Sequence, residues 1–415
     1  MSQGQIINIP RRFALEEWGG TETVILETSK QLQKRGYDPK IYTTLALSEE
    51  AFESISDIDI RRHSYSYTRL GLSNRNRRLL DKRGGNMYSI SLFLSALLAK
   101  KPKVFHLHTL GRVGSLIRLA AKIRRVPYVV SIHGGLMDLP KQQLNDLVAP
   151  TKRSFNWGKI FDWVLPSNKL VEDADAVICV GEAERKKLSK RYPKGNIHFL
   201  PNGVDVDYFA SGNRERFQFE LRHRGYSLKS SDRYILSVGS FYPQKNQAVL
   251  IRAFSELPKE KRRNKLVLMG LVYDQQYFES LKALAEELEV TDDVLFLTDV
   301  SFDNPTLIDA YAAAELFVLP SLYETFGVVV LEAWAAGVPV ICDAVGGLPS
   351  FVENRHNGLF CPMDQKDSLV THMYHLLRNE TTANELVKNA RNDVRQYSWQ
   401  HITEKLSNIY QSLKR

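Results

Sequence analysis

Along the chain, short apolar runs alternate with longer stretches in which apolar positions return every three to four residues. In the first half, the runs at 5–9, 39–44, 57–62, 104–108 (VFHLH), 127–133 (PYVVSIH), 176–180 (AVICV) and 197–200 (IHFL) predict strands. Between them, helical periodicity predicts helices over 21–35, 86–100, 113–125, 154–168 and 182–191, the first stopped by Arg35-Gly36. Strands that alternate with helices build a parallel, doubly wound sheet, whose ligands bind beyond the carboxyl ends of the strands. Gly19-Gly20, His108 and His133-Gly134 all fall at that edge.

Pro201-Asn202-Gly203 breaks the alternation, and the polar stretch 210–232 is expected to be a linker. A second alternation follows: strands at 234–240, 265–270, 294–298, 316–319 and 338–342, with helices at 246–256, 274–289 and 305–313. Three helices close the chain, the last over 398–410. A chain of 415 residues is too long for one core and suits two domains of roughly 200 residues each. The expected architecture is therefore α/β, two doubly wound Rossmann-like halves.

The densest chemistry lies in LPSLYETFGVVVLEAWAAGVPVICDAVGGLPSFV, residues 319–352. A strand ends at Leu319, Pro320-Ser321 breaks it, and a helix is expected to begin near Thr325 to Gly327 and to stop at Gly337. The N–H groups of Thr325, Phe326, Gly327 and Val328 and the positive end of the helix dipole would accept an anion such as a diphosphate. Glu324 stands just outside the helix. Glu332 lies about 7.5 Å further along the helix axis than Gly327, a reach that suits two ribose hydroxyls. Taken alone, the two glutamates also fit an ordinary dipole-pairing residue and a solvated helix position.

Composition narrows the picture only slightly. The balance of 43% hydrophobic and 25% charged residues is that of a globular protein. Cys179, Cys342 and Cys361 form no CxxC pair and two of them sit in apolar strands, so buried thiols in a reducing cytoplasm are expected rather than disulfides. The start MSQGQIINIP leads directly into a strand and reads as carrying no signal peptide, and no run approaches the roughly 20 apolar residues of a membrane span. Net charge is +9, unevenly spread: residues 1–200 hold 33 Lys and Arg against 19 Asp and Glu, and the remainder 23 against 28. The basic stretch 61–85 suits nucleic acid, an anionic bilayer surface or an anionic acceptor, and a solvated basic loop more than any one of these. DxD triplets at 57–59, 173–175 and 205–207 follow no suitable strand, and His106 and His108 lack a third ligand nearby, so no catalytic metal is expected. GxGxxG, Walker A, HExxH and GxSxG patterns are absent, which disfavours the enzyme classes they mark.

PSLYETFGVVVLEAWAAGVPVICDAVGG resembles the E-x7-E signature of retaining nucleotide-sugar glycosyltransferases of the GT-B fold, family 4, and the order of motifs is similar to that family over nearly the whole chain. The resemblance implies two Rossmann-like domains facing a central cleft, 1–203 with 398–415 on the acceptor side and 204–397 on the donor side. It implies transfer of a sugar from a UDP- or GDP-type donor to a hydroxyl acceptor, in cell-surface polysaccharide, lipopolysaccharide or glycolipid synthesis. The protein would be cytoplasmic or peripheral on the inner membrane face, with no cofactor, no metal and no nucleic acid partner. Glu332 would hold the ribose, Glu324 would lie by the sugar and leaving phosphate, and Thr325, Phe326, Gly327 and Val328 would cradle the donor. Gly19 and Gly20 would meet the diphosphate, Lys245 would neutralise it, and His133 would contact a sugar hydroxyl. Two positions depart from the pattern: Ser240 stands where the family usually has Arg, and Ser350 where it commonly has Glu. A hydrolase or epimerase on the same fold, and a non-catalytic transferase-like binding subunit, are the alternatives.

Overall fold

The computed structural model describes residues 3–15, 18–134, 154–158, 162–163, 165–167, 169–229, 231–258, 264–300 and 304–413. The chain divides into two compact units, Met1–Asn202 with Trp399–Arg415, and Gly203–Ser398.

In the first unit the strands are β1 (Gln5–Ile9), β2 (Asp38–Thr44), β3 (Phe52–Ile55), β4 (Ile58–His63), β5 (Arg69–Leu70), β6 (Pro102–Leu107), β7 (Tyr128–Ile132), β8 (Phe155–Asn156), β9 (Ala176–Cys179) and β10 (Ile197–Phe199). Eight of them form one sheet in the order β10-β9-β7-β6-β1-β2-β4-β3, parallel except for β3 at the edge. Alternation along each strand sends successive side chains to opposite faces. Ile7, Ile9, Phe105, Leu107 and Val130 enter one core, while Ile6, Val104, Val129 and Ile178 enter the other. The second core is closed by the C-terminal helix Trp399–Ser412 through Ile402, Leu406, Ile409 and Tyr410. That apolar face explains why the last helix belongs to the first unit although nearly 200 residues separate it from β10.

The second unit adds β11 (Arg233–Val238), β12 (Asn264–Met269), β13 (Val294–Leu297), β14 (Ala314–Leu319), β15 (Val340–Cys342) and β16 (Leu359–Phe360). Its sheet runs β13-β12-β11-β14-β15-β16, with every pairing parallel. The strand order therefore reverses between β11 and β14, as it does between β1 and β6 in the first unit. Each such reversal opens a crevice beyond the strand ends.

Several local expectations need correction. The stretch 210–232 is no linker: helices Val206–Ala210 and Arg214–His223 occupy its start, Asn213 caps the second, and Phe217 and Leu221 are fully buried. The basic stretch 61–85 is more than a loop. It contains the helix Asn74–Arg83, capped by the Ser73 hydroxyl, and its Arg62 is buried against the Phe13 carbonyl and Glu53. Helix 86–100 shortens to Ile90–Leu98, because Ser89 caps it. Helix 154–168 begins instead as strand β8, and much of its span lies outside the described residues. The three cysteines are free and buried, and burial pushes the Cys179 thiol up to about 12.

Candidate active site

The crevice between β11 and β14 brings Lys245 and Glu324 together. Beyond β11 the chain runs through Gly239, over which the Lys245 stem lies, into a short 3-10 turn, Pro243–Lys245. Gln244 ties this loop to the one beyond β14: its Nε2 donates to the Tyr323 carbonyl at 2.9 Å, and its carbonyl accepts from the Leu322 N–H at 2.9 Å. Lys245 Nζ consequently donates to Glu324 Oε1 at 2.6 Å, with the carboxylate 9% exposed and the lysine 26%. The lysine is thus anchored by Glu324 and still open to a second anion.

The helix expected from Thr325 starts at Val328 and runs to Ala336. Gly327 is its N-cap with φ 90°, a left-handed conformation that strains residues bearing a Cβ. Among the described residues, the N–H groups of Thr325, Phe326, Gly327 and Val328 meet no backbone acceptor. The Gly346-Gly347 turn packs directly under this loop. A Cβ at Gly346 would stand 1.6 Å from the Glu324 carbonyl oxygen, and the Gly347 N–H donates to that same oxygen at 3.0 Å. The two glycines thereby set the height of the Glu324 loop over the sheet.

Glu332, on the fifth residue of the helix, is half-buried rather than solvated. Burial pushes its carboxyl up to about 7, partly offset by the hydroxyl of the buried Tyr311, which donates to Oε2 at 2.8 Å. Tyr311 thus orients one carboxylate oxygen, leaving Oε1 for a ligand. No local pattern marked Tyr311 for this role, because it lies 21 residues before its partner.

In the first unit, a pocket of about 530 Å³ sits beyond β1, β6 and β7. Arg11, Arg12, Glu22, Asn86, His108 and His133 stand among its lining residues. Gly19 caps the helix Gly20–Lys34 with an extended backbone, φ −146°. Gly20 has no positive φ either, and a Cβ there would meet nothing within 4 Å. Within the chain, then, neither glycine is required by a left-handed turn; what Gly20 provides is open space at a helix start. His133 pairs with His108, Nε2 to Nδ1 at 2.9 Å, and burial pushes its imidazole down to about 4, so the ring is neutral at pH 7 and suited to a hydroxyl contact rather than to a charge. The nitrogens of His106 are engaged by Ser131 and Tyr410. Among the described residues, no group of three or more His, Cys, Asp or Glu side chains is arranged to hold a metal ion.

Ser240 and Ser350 supply no charge in this crevice. The Ser240 carbonyl accepts from Gln247 Nε2 at 3.1 Å, and the Ser350 hydroxyl donates to the Gly347 carbonyl. Ser240→Arg is expected to raise turnover by about tenfold or more if the diphosphate is underneutralised, since a charge-assisted hydrogen bond contributes about 1.5–3 kcal/mol. Steady-state kinetics of the variant beside the wild type measures it; unchanged rates would mean that another cation already fills the role.

Two doubly wound sheets, one carrying the Lys245–Glu324 pair and Glu332 beyond its strands and the other a polar pocket, have the GT-B architecture of solved glycosyltransferases. Residues 18–208 match Glycosyltransferase Family 4 and residues 218–393 match Glycosyl transferases group 1, and the chain belongs to this family of glycosyltransferases. It is 27% identical over 414 residues to the D-inositol 3-phosphate glycosyltransferase of Corynebacterium glutamicum, covering 94% of this chain and 91% of that protein. An uncharacterized glycosyltransferase of Methanocaldococcus jannaschii is 31% identical over 237 residues, 56% of this chain and 59% of that protein. Among solved structures, Anabaena HepE in complex with UDP and glucose superposes with a TM-score of 0.70 at 16% identity, covering 99% of this chain and 100% of that one.

Proposed function

We propose that this glycosyltransferase moves a hexosyl group from a UDP- or GDP-type nucleotide sugar to a hydroxyl acceptor, with retention of anomeric configuration and without a metal ion. The observation that carries this reading is the crevice between β11 and β14, where Lys245 anchored on Glu324 stands beside the open helix start at Gly327. A diphosphate there would take a charge-assisted bond from Lys245 and backbone N–H bonds from Thr325 to Val328, both strengthening as the leaving group gains charge. Glu332, held by Tyr311, takes the ribose hydroxyls. For the first unit, the family resemblance gives the Gly19-Gly20 helix start a phosphate contact and His133 a sugar hydroxyl. Retention rests on the family resemblance.

A thermal-shift panel of nucleotide sugars, each run with and without EDTA, followed by product analysis with and without hydroxyl acceptors, tests the whole reading. Stabilisation by one nucleotide class, transfer that needs the acceptor, and indifference to EDTA are expected. Free sugar released at the same rate whether or not acceptor is present would identify a hydrolase instead. Loss of activity restored by Mn²⁺ or Mg²⁺ would overturn metal independence. The absence of the family arginine at Ser240 favours a second reading, a binding subunit without turnover, which the same panel separates.

The acceptor is proposed to belong to a cell-surface polysaccharide, lipopolysaccharide or glycolipid, met at an anionic membrane surface. Support comes from the exposed Arg75, Arg77 and Arg78 on the helix Asn74–Arg83. Among the described residues, no helix is long and apolar enough to cross a membrane. Replacing these arginines by glutamine is expected to abolish sedimentation with phosphatidylglycerol vesicles at low salt, and wild-type binding should fade as salt screens the same charges. Equal sedimentation of both proteins would return the helix to a plain solvated surface.

A further inference from the structure

Behind His133 stands a file of buried polar side chains drawn from three elements. Asn8, on β1 and 1% exposed, donates from Nδ2 to the Ser29 hydroxyl of the neighbouring helix at 3.2 Å. Its Oδ1 faces His108 Nε2 at 3.2 Å, and His108 Nδ1 faces His133 Nε2 at 2.9 Å. The planes of the His108 and His133 rings lie within 21° of parallel with centroids 5.2 Å apart, the edge-to-edge arrangement that an in-plane ring hydrogen bond requires.

Donor and acceptor counting fixes the protons along this file. With the Asn8 amide turned so that its oxygen, which only accepts, faces the ring, His108 carries its proton on Nε2. A neutral imidazole has one N–H, which leaves His108 Nδ1 as an acceptor and makes His133 Nε2 the donor to it. His133 is then unprotonated at Nδ1, and among the described residues no hydrogen bond reaches that atom, while His133 lines the 530 Å³ pocket. Burial holds both imidazoles neutral at pH 7. The charged residues lining the same pocket are Arg11, Arg12 and Glu22. His106, neutral through burial, lies with its ring centroid 4.1 Å from that of His108, and Tyr410 of the C-terminal helix bonds His106 from behind.

We propose that Asn8 is a positioning residue for sugar transfer: through His108 it holds His133 in the Nε2–H tautomer, so that the Nδ1 lone pair is presented to the pocket and accepts a hydroxyl of the sugar substrate. The substrate class this selects is one bearing a donating hydroxyl at that position. A substrate in which this hydroxyl is replaced by an ether would find its oxygen against a lone pair, with neither group able to donate. The role assigned to the substrate rests on the transferase reading above. The tautomer does not.

The test is ring-nitrogen NMR on the full chain carrying ¹⁵N-histidine, with His133 assigned from its absence in His133→Gln. Between neutral pH and mild base the wild type should show both His108 and His133 protonated at Nε2 and bare at Nδ1. Asn8→Leu should leave both rings averaging between tautomers. Asn8→Asp, which keeps an acceptor of the same shape, should restore the Nε2–H form and guards against a variant that merely fails to fold. In the kinetics, with the donor that the nucleotide-sugar panel identifies, Asn8→Leu should lose about tenfold in kcat, the scale of one lost hydrogen bond, while its affinity for UDP and GDP stays unchanged. Asn8→Asp should recover most of that rate in mild base and lose it again in acid. Its carboxylate raises the His108 pKa, and a doubly protonated His108 donates from Nδ1, which forces the His133 proton onto Nδ1 and removes the acceptor. A wild-type His133 protonated at Nδ1 would overturn the proposal, as would tautomers indifferent to Asn8→Leu or an unchanged kcat in that variant. Because the NMR result needs no turnover, failure of the transferase reading is distinguishable from failure of the tautomer assignment.

Discussion

Lys245→Ala is expected to lower kcat by about 10²–10³, the usual cost of removing one preorganised group aimed at developing charge. The lysine is held in place by Glu324 and by the loop that Gln244 ties down, so little reorganisation is needed when the leaving diphosphate gains charge. The loss should fall mostly on kcat, because the bond strengthens only as the glycosidic bond breaks, and UDP or GDP affinity measured by calorimetry should change far less. Glu324→Gln separates two contributions. It keeps the shape and a hydrogen-bond acceptor for Lys245 but removes the charge beside the transferring sugar, so turnover should fall while the lysine stays in place. Retention of kcat within about threefold in Lys245→Ala would remove the lysine from the chemistry, since typical general electrostatic contributions exceed that.

Glu332→Ala is expected to weaken nucleotide binding by about 1–3 kcal/mol, the range for hydrogen bonds made to a charged group. The accompanying pH dependence has a definite sign. In the free protein, burial holds the carboxyl up to about 7, whereas two ribose hydroxyls donating to it favour the ionised form. Binding therefore expels a proton below neutrality: affinity should be level in mild base and fall as the pH drops through 7, approaching tenfold per unit. Tyr311→Phe removes the hydrogen bond that offsets the burial, so the midpoint should move to higher pH. Calorimetric titrations of UDP and GDP across this range, repeated on Glu332→Gln to subtract the nucleotide's own titration, measure the effect. Affinity that rises in acid, or that survives Glu332→Ala unchanged, would end the ribose assignment.

The elements that the bare chain announced are those whose burial follows from local pattern. Ile6 against Ile7 and Ile9, or Val129 against Val130, alternate between the two cores, as expected of strands buried on both faces. The strand, loop and helix that carry Glu324 and Glu332 lie within one contiguous stretch, so the spacing of the two carboxylates was visible in it. The helices Asn74–Arg83 and Arg214–His223 escaped notice because their composition is strongly polar, although the caps Ser73 and Asn213 stood at the right places.

By itself, the sequence determined the class: two parallel, doubly wound halves, a helix that begins just after Glu324, and the family to which the chain belongs. Only the tertiary structure decided which side chains meet. Lys245 reaches Glu324 across 79 positions, Tyr311 finds Glu332 across 21, His108 meets His133 across 25, and Tyr410 bonds His106 across 304. The reason is topological. In a parallel sheet whose order reverses, β11 lies beside β14 and β1 beside β6, so the loops that share a crevice are separated by whole crossovers, and no local periodicity records which strand ends become neighbours.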